Sequence, residues 1–103
     1  MIARLWSAKA TPSQAPAYAD HLRNHVLPAV RNVDGYAGAM LLERQADGAV
    51  EIIVITRWRS LDAIREFAGA DLDEAVVTDE ASALLTSFDR RVRHYELVVR
   101  DDP

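Results

Sequence analysis

The sequence predicts an α+β domain of the ferredoxin-like, split βαβ type, with an antiparallel sheet and its helices on one face. Three observations predict it. The apolar and helical patterns alternate in the order β-α-β-β-α-α-β along 103 residues, which is one domain of ordinary size (1–103). A short echo, "RLWS" before the first helix and "RWRS" before the second, is what two similar βαβ halves would produce. The strands are also apolar on both sides, Ile53 and Ile55 as well as Ile52 and Val54, so both sheet faces expect cover. The helices supply one cover. A bare apolar face implies a partner, and a homodimer joined face to face meets that need.

The elements follow in order. Ile2 to Ser7 reads as the first strand. "TPSQ" then starts a helix, with Thr11 as cap, Pro12 in the first turn and Gln14 as capping-box partner. Ala15, Tyr18, Ala19, Leu22, Val26 and Val30 recur at helical spacing, and Pro28 should loosen the last turns because it lacks a backbone donor. Tyr36–Arg44 and Val50–Trp58 are two strands, joined by a tight turn at Asp47-Gly48. Ser60 caps a second helix that Gly69 ends, with Ala63, Ile64, Phe67 and Ala68 as its buried stripe. Thr78 opens a third helix burying Ala81, Leu84, Leu85 and Phe88, and Arg91–Val99 is the last strand.

Composition narrows the function classes. Half the residues are hydrophobic, enough for a core without staples, and the absence of cysteine removes disulfides and thiol chemistry. A net charge of −4 argues against a nucleic-acid partner. No signal-peptide pattern and no apolar run of membrane length is present, so no membrane partner is expected and the predicted location is cytoplasmic. No Gly-rich phosphate loop, Gly-x-Ser-x-Gly elbow or metal-spaced cluster occurs, so neither a cofactor nor a metal is expected.

The site candidates lie in the helix-sheet layer. Trp58 shares a strand face with Val54 and Thr56 and reads as a core aromatic that also borders a pocket wherever that layer holds a gap. His25 sits on the inward edge of the first helix by α-helical spacing. It is the preferred base, since an imidazole suits proton abstraction near neutral pH. His21, one turn earlier, reads as surface. His94 in "RHYE" is a second acid-base candidate or an interface histidine, and Tyr18 could bond a ligand oxygen. The five carboxylates from Asp71 to Glu80 fall at helix starts and on solvated faces, and Arg57, Arg59, Arg90, Arg91 and Arg93 read as rim and surface charges.

The stretch "VITRWRSLDAIREFAG" resembles the strand-tryptophan-x-serine-helix segment of the antibiotic biosynthesis monooxygenase family. "DGYAGAMLLER" is similar to that family's entry to the second strand and "RHYELVV" to its last strand, so nearly the whole chain is covered. The resemblance implies a dimeric α+β barrel. It also implies cofactor-independent oxygenation of an electron-rich phenol or hydroquinone, or a related base-assisted cyclisation of a polyketide-like chain, with His25 as base, Trp58 as stacking wall, and Ser7 or Tyr18 orienting the ligand. Val54, Ile64 and Phe67 complete an apolar slot. Val54 and Ile64 stand where quinone-forming members carry asparagine and tyrosine. Ser7, Phe67 and Val77 stand where haem degraders carry asparagine, tryptophan and histidine, so haem degradation is not expected. The contrasting reading is a non-catalytic dimeric module that binds a small apolar or aromatic molecule.

Overall fold

A computed structural model describes residues 1–103. Strand β1 (Ile2–Ala10) leads into α1 (Ala15–His21), a π turn (Leu22–Val26) and α2 (Leu27–Val30), which run on as one bent helical stretch. Strands β2 (Tyr36–Ala46) and β3 (Ala49–Trp58) follow, then α3 (Leu61–Ala68), α4 (Asp79–Ala83), β4 (Ser87–Phe88) and β5 (Arg93–Glu96). The sheet is antiparallel throughout, in the order β2-β3-β1, with β4 and β5 sharing the far edge of β1. This is the split βαβ order the sequence predicts, with its fourth strand broken in two.

Local chemistry accounts for the elements. Asp47 and Gly48 take φ of 53° and 76°, the paired positive values a two-residue hairpin requires, and Ala46 pairs with Ala49 across them. The Ser60 and Thr78 hydroxyls each accept an amide three residues on, at 3.2 Å, capping α3 and α4. Gly35 turns the chain into β2 at φ 92°, and a Cβ there would stand 2.6 Å from that of Ala63. The approach of α3 to this turn therefore needs glycine twice over, for dihedral and for space.

Several expectations are corrected. Thr11 Oγ1 does accept the Gln14 amide at 3.2 Å, but the Gln14 side chain makes no return bond, so half of the capping box forms. The third helix stops at Ala83, because the Thr86 and Asp89 amides bond the Lys9 and Ser7 carbonyls. Phe88 therefore lies on β4 opposite Ala8, not on a helix. The last strand spans Arg93–Glu96 rather than Arg91–Val99. Glu96 already pairs with Ile2, and beyond it only the Leu97 amide finds β1, at the Met1 carbonyl. Val98 and Val99 stay exposed.

Side chains alternate across the sheet. Trp6, Ala8, Ala10, Val50, Ile52, Val54 and Trp58 turn toward the helices. They pack into two clusters, one around Tyr18, Leu22 and Ile52 and one around Trp58, Ile64 and Val30. The opposite face, carrying Leu5, Ile53 and Ile55, has no cover within the chain, and Met40 and Leu42 on it are about half exposed.

Candidate functional site

Between the two clusters the helix-sheet layer leaves a cavity of about 510 Å³, within the range of small-molecule sites. Its floor is β1 and β3, through Arg4, Trp6, Val54 and Thr56. One wall is the bent helix, through Tyr18, His21 and His25, and the other is Phe67 and the segment Val76–Ala81. The lining is mostly apolar, so the few polar groups that reach it carry its chemistry.

The two helix histidines exchange the places expected for them. His21 is buried at 7% exposure, whereas His25 lies at the exposed rim, its ring 5.5 Å from that of His21. The π turn is the reason. The Leu27 amide bonds the Leu22 carbonyl five residues back, ahead of Pro28, which has no amide to give. The extra residue in that turn makes later side chains lag behind α-helical spacing, so His25 is carried toward the rim. His21 Nε2 is buried and has no hydrogen-bond partner in the protein. An orphaned buried polar atom costs about 1–3 kcal/mol, which a ligand able to bond it would recover. Tyr18 also lines the cavity, and burial pushes its phenol pKa up to about 12, so it stays a neutral donor there.

Trp58 is fully buried but is not part of the lining. It stands edge-on to Tyr36 at 5.4 Å and stacks on Phe67 at 5.3 Å, which places it behind the wall that Phe67 presents. Its Nε1 donates to Thr56 Oγ1 at 2.8 Å. Trp58 thus acts through Thr56 and Phe67, not as the stacking wall expected. Ile64 likewise lies wholly in the core, while Val54 and Phe67 do line the cavity. Ser7 points the other way: it pairs with Ile53 on the uncovered face and borders a separate polar groove with Lys9 and Glu51. Period-two alternation from Trp6 already contains that answer.

Arg4 is the group that sequence reasoning passed over. It is 5% exposed, on the cavity floor opposite Thr56. Its Nη1 donates to the Leu72 carbonyl at 2.5 Å and its Nη2 to that of Glu74 at 2.7 Å, while the guanidinium carbon lies 5.7 Å from the Phe67 ring centre. The signal was present: Ile2, Arg4, Trp6 and Ala8 alternate as one face, and a charge inside an apolar face is informative.

His94 does not serve the cavity as the acid-base group expected. Its Nε2 sits 3.0 Å from Arg4 Nη1 and its Nδ1 is 3.1 Å from Asp73 Oδ1. An arginine can only donate, so Nε2 accepts, and the proton lies on Nδ1 facing Asp73. Both ring nitrogens are occupied in holding the 71–74 segment to β5. Burial, and then the Arg4 charge, lower the His94 pKa against the opposing pull of Asp73. The unfolded chain then binds this proton first, near the ordinary value of about 6.5. Stability should therefore fall as pH drops through about 6.5 and go on falling until the folded imidazole also titrates. Urea midpoints measured at pH 7.5, 6.5 and 5.5 should show this slope, and His94→Gln should flatten it. An unchanged slope in the variant would refute the assignment.

No group of three or more His, Asp or Glu side chains lies close enough to hold a metal ion, and no helix is long and apolar enough to cross a membrane. Residues 1–79 match the family described as antibiotic biosynthesis monooxygenase. The uncharacterized protein Rv2558 of Mycobacterium tuberculosis is 27% identical over 103 residues, covering 98% of this chain and 41% of that protein. The chain thus spans about two fifths of the length of the curated relatives it matches. Among solved structures, the heme-degrader MhuD of Mycobacterium tuberculosis, with two hemes bound in its active site, superposes with a TM-score of 0.62 at 21% identity. That match covers 99% of this chain and all of that one. A monooxygenase from the gene ActVA-Orf6 of Streptomyces coelicolor, in complex with nanaomycin D, gives a TM-score of 0.62 at 16% identity, over 99% and 89% of the two chains. These likenesses establish the fold.

Proposed function

This chain belongs to the antibiotic biosynthesis monooxygenase family, and from that premise we propose that it is a cofactor-independent monooxygenase acting on a small electron-rich aromatic in the cavity. The observation that carries the reading is His21 Nε2, buried and unpartnered on a histidine that lines a largely apolar cavity of about 510 Å³. An unpaired imidazole nitrogen in that position suits a general base for a phenol. Loss of the phenolic proton raises electron density in the ring, which then reduces O₂ itself. One oxygen atom enters the ring carbon para to the phenol as a new carbonyl, and that carbon loses its hydrogen. The other oxygen leaves as water with the two hydrogens released. All four electrons come from the ring, so the balance closes without a further reductant. The apolar wall of Phe67, Val54 and Val77 keeps water from the intermediate, and Tyr18, a neutral donor beside the cavity, would orient a ring oxygen.

Oxygen uptake with a panel of anthrone-like phenols and naphthols that carry hydrogen on the carbon para to the hydroxyl tests this. One O₂ consumed per quinone formed is the expected stoichiometry. Ligand binding without turnover on any panel member would favour the binding-module reading instead. Stoichiometric haem binding with a Soret shift, followed by ascorbate-driven bleaching, would reassign the cavity to the chemistry that names its structural neighbour MhuD.

The uncovered sheet face supports a homodimer as the working form. Leu5, Ile53 and Ile55 present an apolar surface that a second copy would bury. Sedimentation at micromolar concentration should give a species near twice 11.5 kDa. Ile55→Asp should return it to the monomer mass, and a variant that stays dimeric would refute this face as the interface.

A further inference from the structure

Resting on the reading of the cavity as the substrate site, we propose that its substrate is an aromatic acid, whose carboxylate is received by Arg4 and Thr56 at the sheet floor. The two residues are cross-strand partners on β1 and β3, and both line the cavity. Arg4 is a buried cation with no carboxylate in contact with it. Its neighbours are the Leu72 and Glu74 carbonyls and the accepting nitrogen of His94, and Asp73 lies beyond that ring. Carbonyl dipoles satisfy individual N–H groups but do not neutralise a formal charge, and a buried charge without a partner is costly.

A guanidinium carries five N–H groups, and the protein occupies three of them. The Nε donor and one Nη2 donor are left for a carboxylate to engage. Thr56 supplies a third donor. Its oxygen is already engaged as acceptor by Trp58 Nε1 at 2.8 Å, which leaves its own O–H free to donate. Trp58 is therefore a positioning residue for the polar end of the site. The rest of the lining is mostly apolar, with Phe67 beside the guanidinium and the Asp79 and Glu80 carboxylates at exposed positions of the wall, so the part of the ligand next to the carboxylate is a ring.

The structural alternative is that Arg4 only ties the 71–74 segment to the sheet. A matched pair of probes separates the two. Calorimetric titration of the full chain with 2-naphthoate and with 2-naphthamide compares a charged and a neutral group on the same ring. The carboxylate is expected to bind at least about tenfold more tightly, an order typical of one charge-assisted contact. Arg4→Lys, which keeps the charge but loses the fork, should retain part of that preference, and Arg4→Met should abolish it while still binding the amide. Thr56→Val should weaken the carboxylate more than the amide without touching the Arg4 contacts, and it serves if Arg4→Met does not fold. Equal affinity for the two probes in the wild type, or a preference that persists in Arg4→Met, overturns this inference while leaving the cavity as the site. Failure of both probes to bind overturns it together with the reading of the cavity.

Discussion

Replacing His21 by asparagine should lower oxygen uptake by about 10²–10⁴-fold, the usual share of a general base, with the fold retained. Asparagine keeps a polar side chain at a position that is 7% exposed, so the change removes the imidazole without leaving an apolar group in its place. His25→Ala is the companion measurement. That residue is exposed at the rim and should change turnover by less than about tenfold, with stability within the ±0.5 kcal/mol of an ordinary surface change. Rates are compared at matched folded fraction, checked by thermal melting. Equal turnover in wild type and His21→Asn would remove His21 from the chemistry. A large loss in His25→Ala alone would return the role to the rim histidine.

Trp58→Ala should be the most damaging single core substitution, costing about 3–5 kcal/mol. The indole is fully buried, stacked on Phe67 and edge-on to Tyr36, and its removal takes support from both rings. Against a total stability of about 5–15 kcal/mol for a domain of this size, such a loss approaches unfolding. Trp58→Phe separates packing from polarity. It keeps most of the ring contact but leaves Thr56 Oγ1 without its donor, a loss of about 1 kcal/mol. Urea unfolding of the two variants checks both values. A cost below about 1.5 kcal/mol for Trp58→Ala would mean that the ring is not central to the core.

The share of this protein legible in its sequence follows the range over which each signal acts. Strand alternation is local and strict, and it placed Val54, Thr56 and Trp58 on one face and Ile53 and Ile55 on the other. Turn and cap chemistry is local too, and the Asp47-Gly48 hairpin and the Ser60 and Thr78 caps form as their residue types predict. The same alternation along β1 turns Ser7 away from the helices and Arg4 toward them.

Other features depend on more than local pattern. The choice between His21 and His25 turned on a π turn before Pro28, one residue longer than the α-helical turn whose spacing predicts both positions. The last strand was cut short because β1 has a single free edge, and β4 and β5 divide it. The cavity is the furthest from the sequence. Side-chain patterns encode which groups attract one another, whereas a void is the volume two packed clusters fail to fill. Only their arrangement in space determines where it opens and which buried arginine and histidine border it.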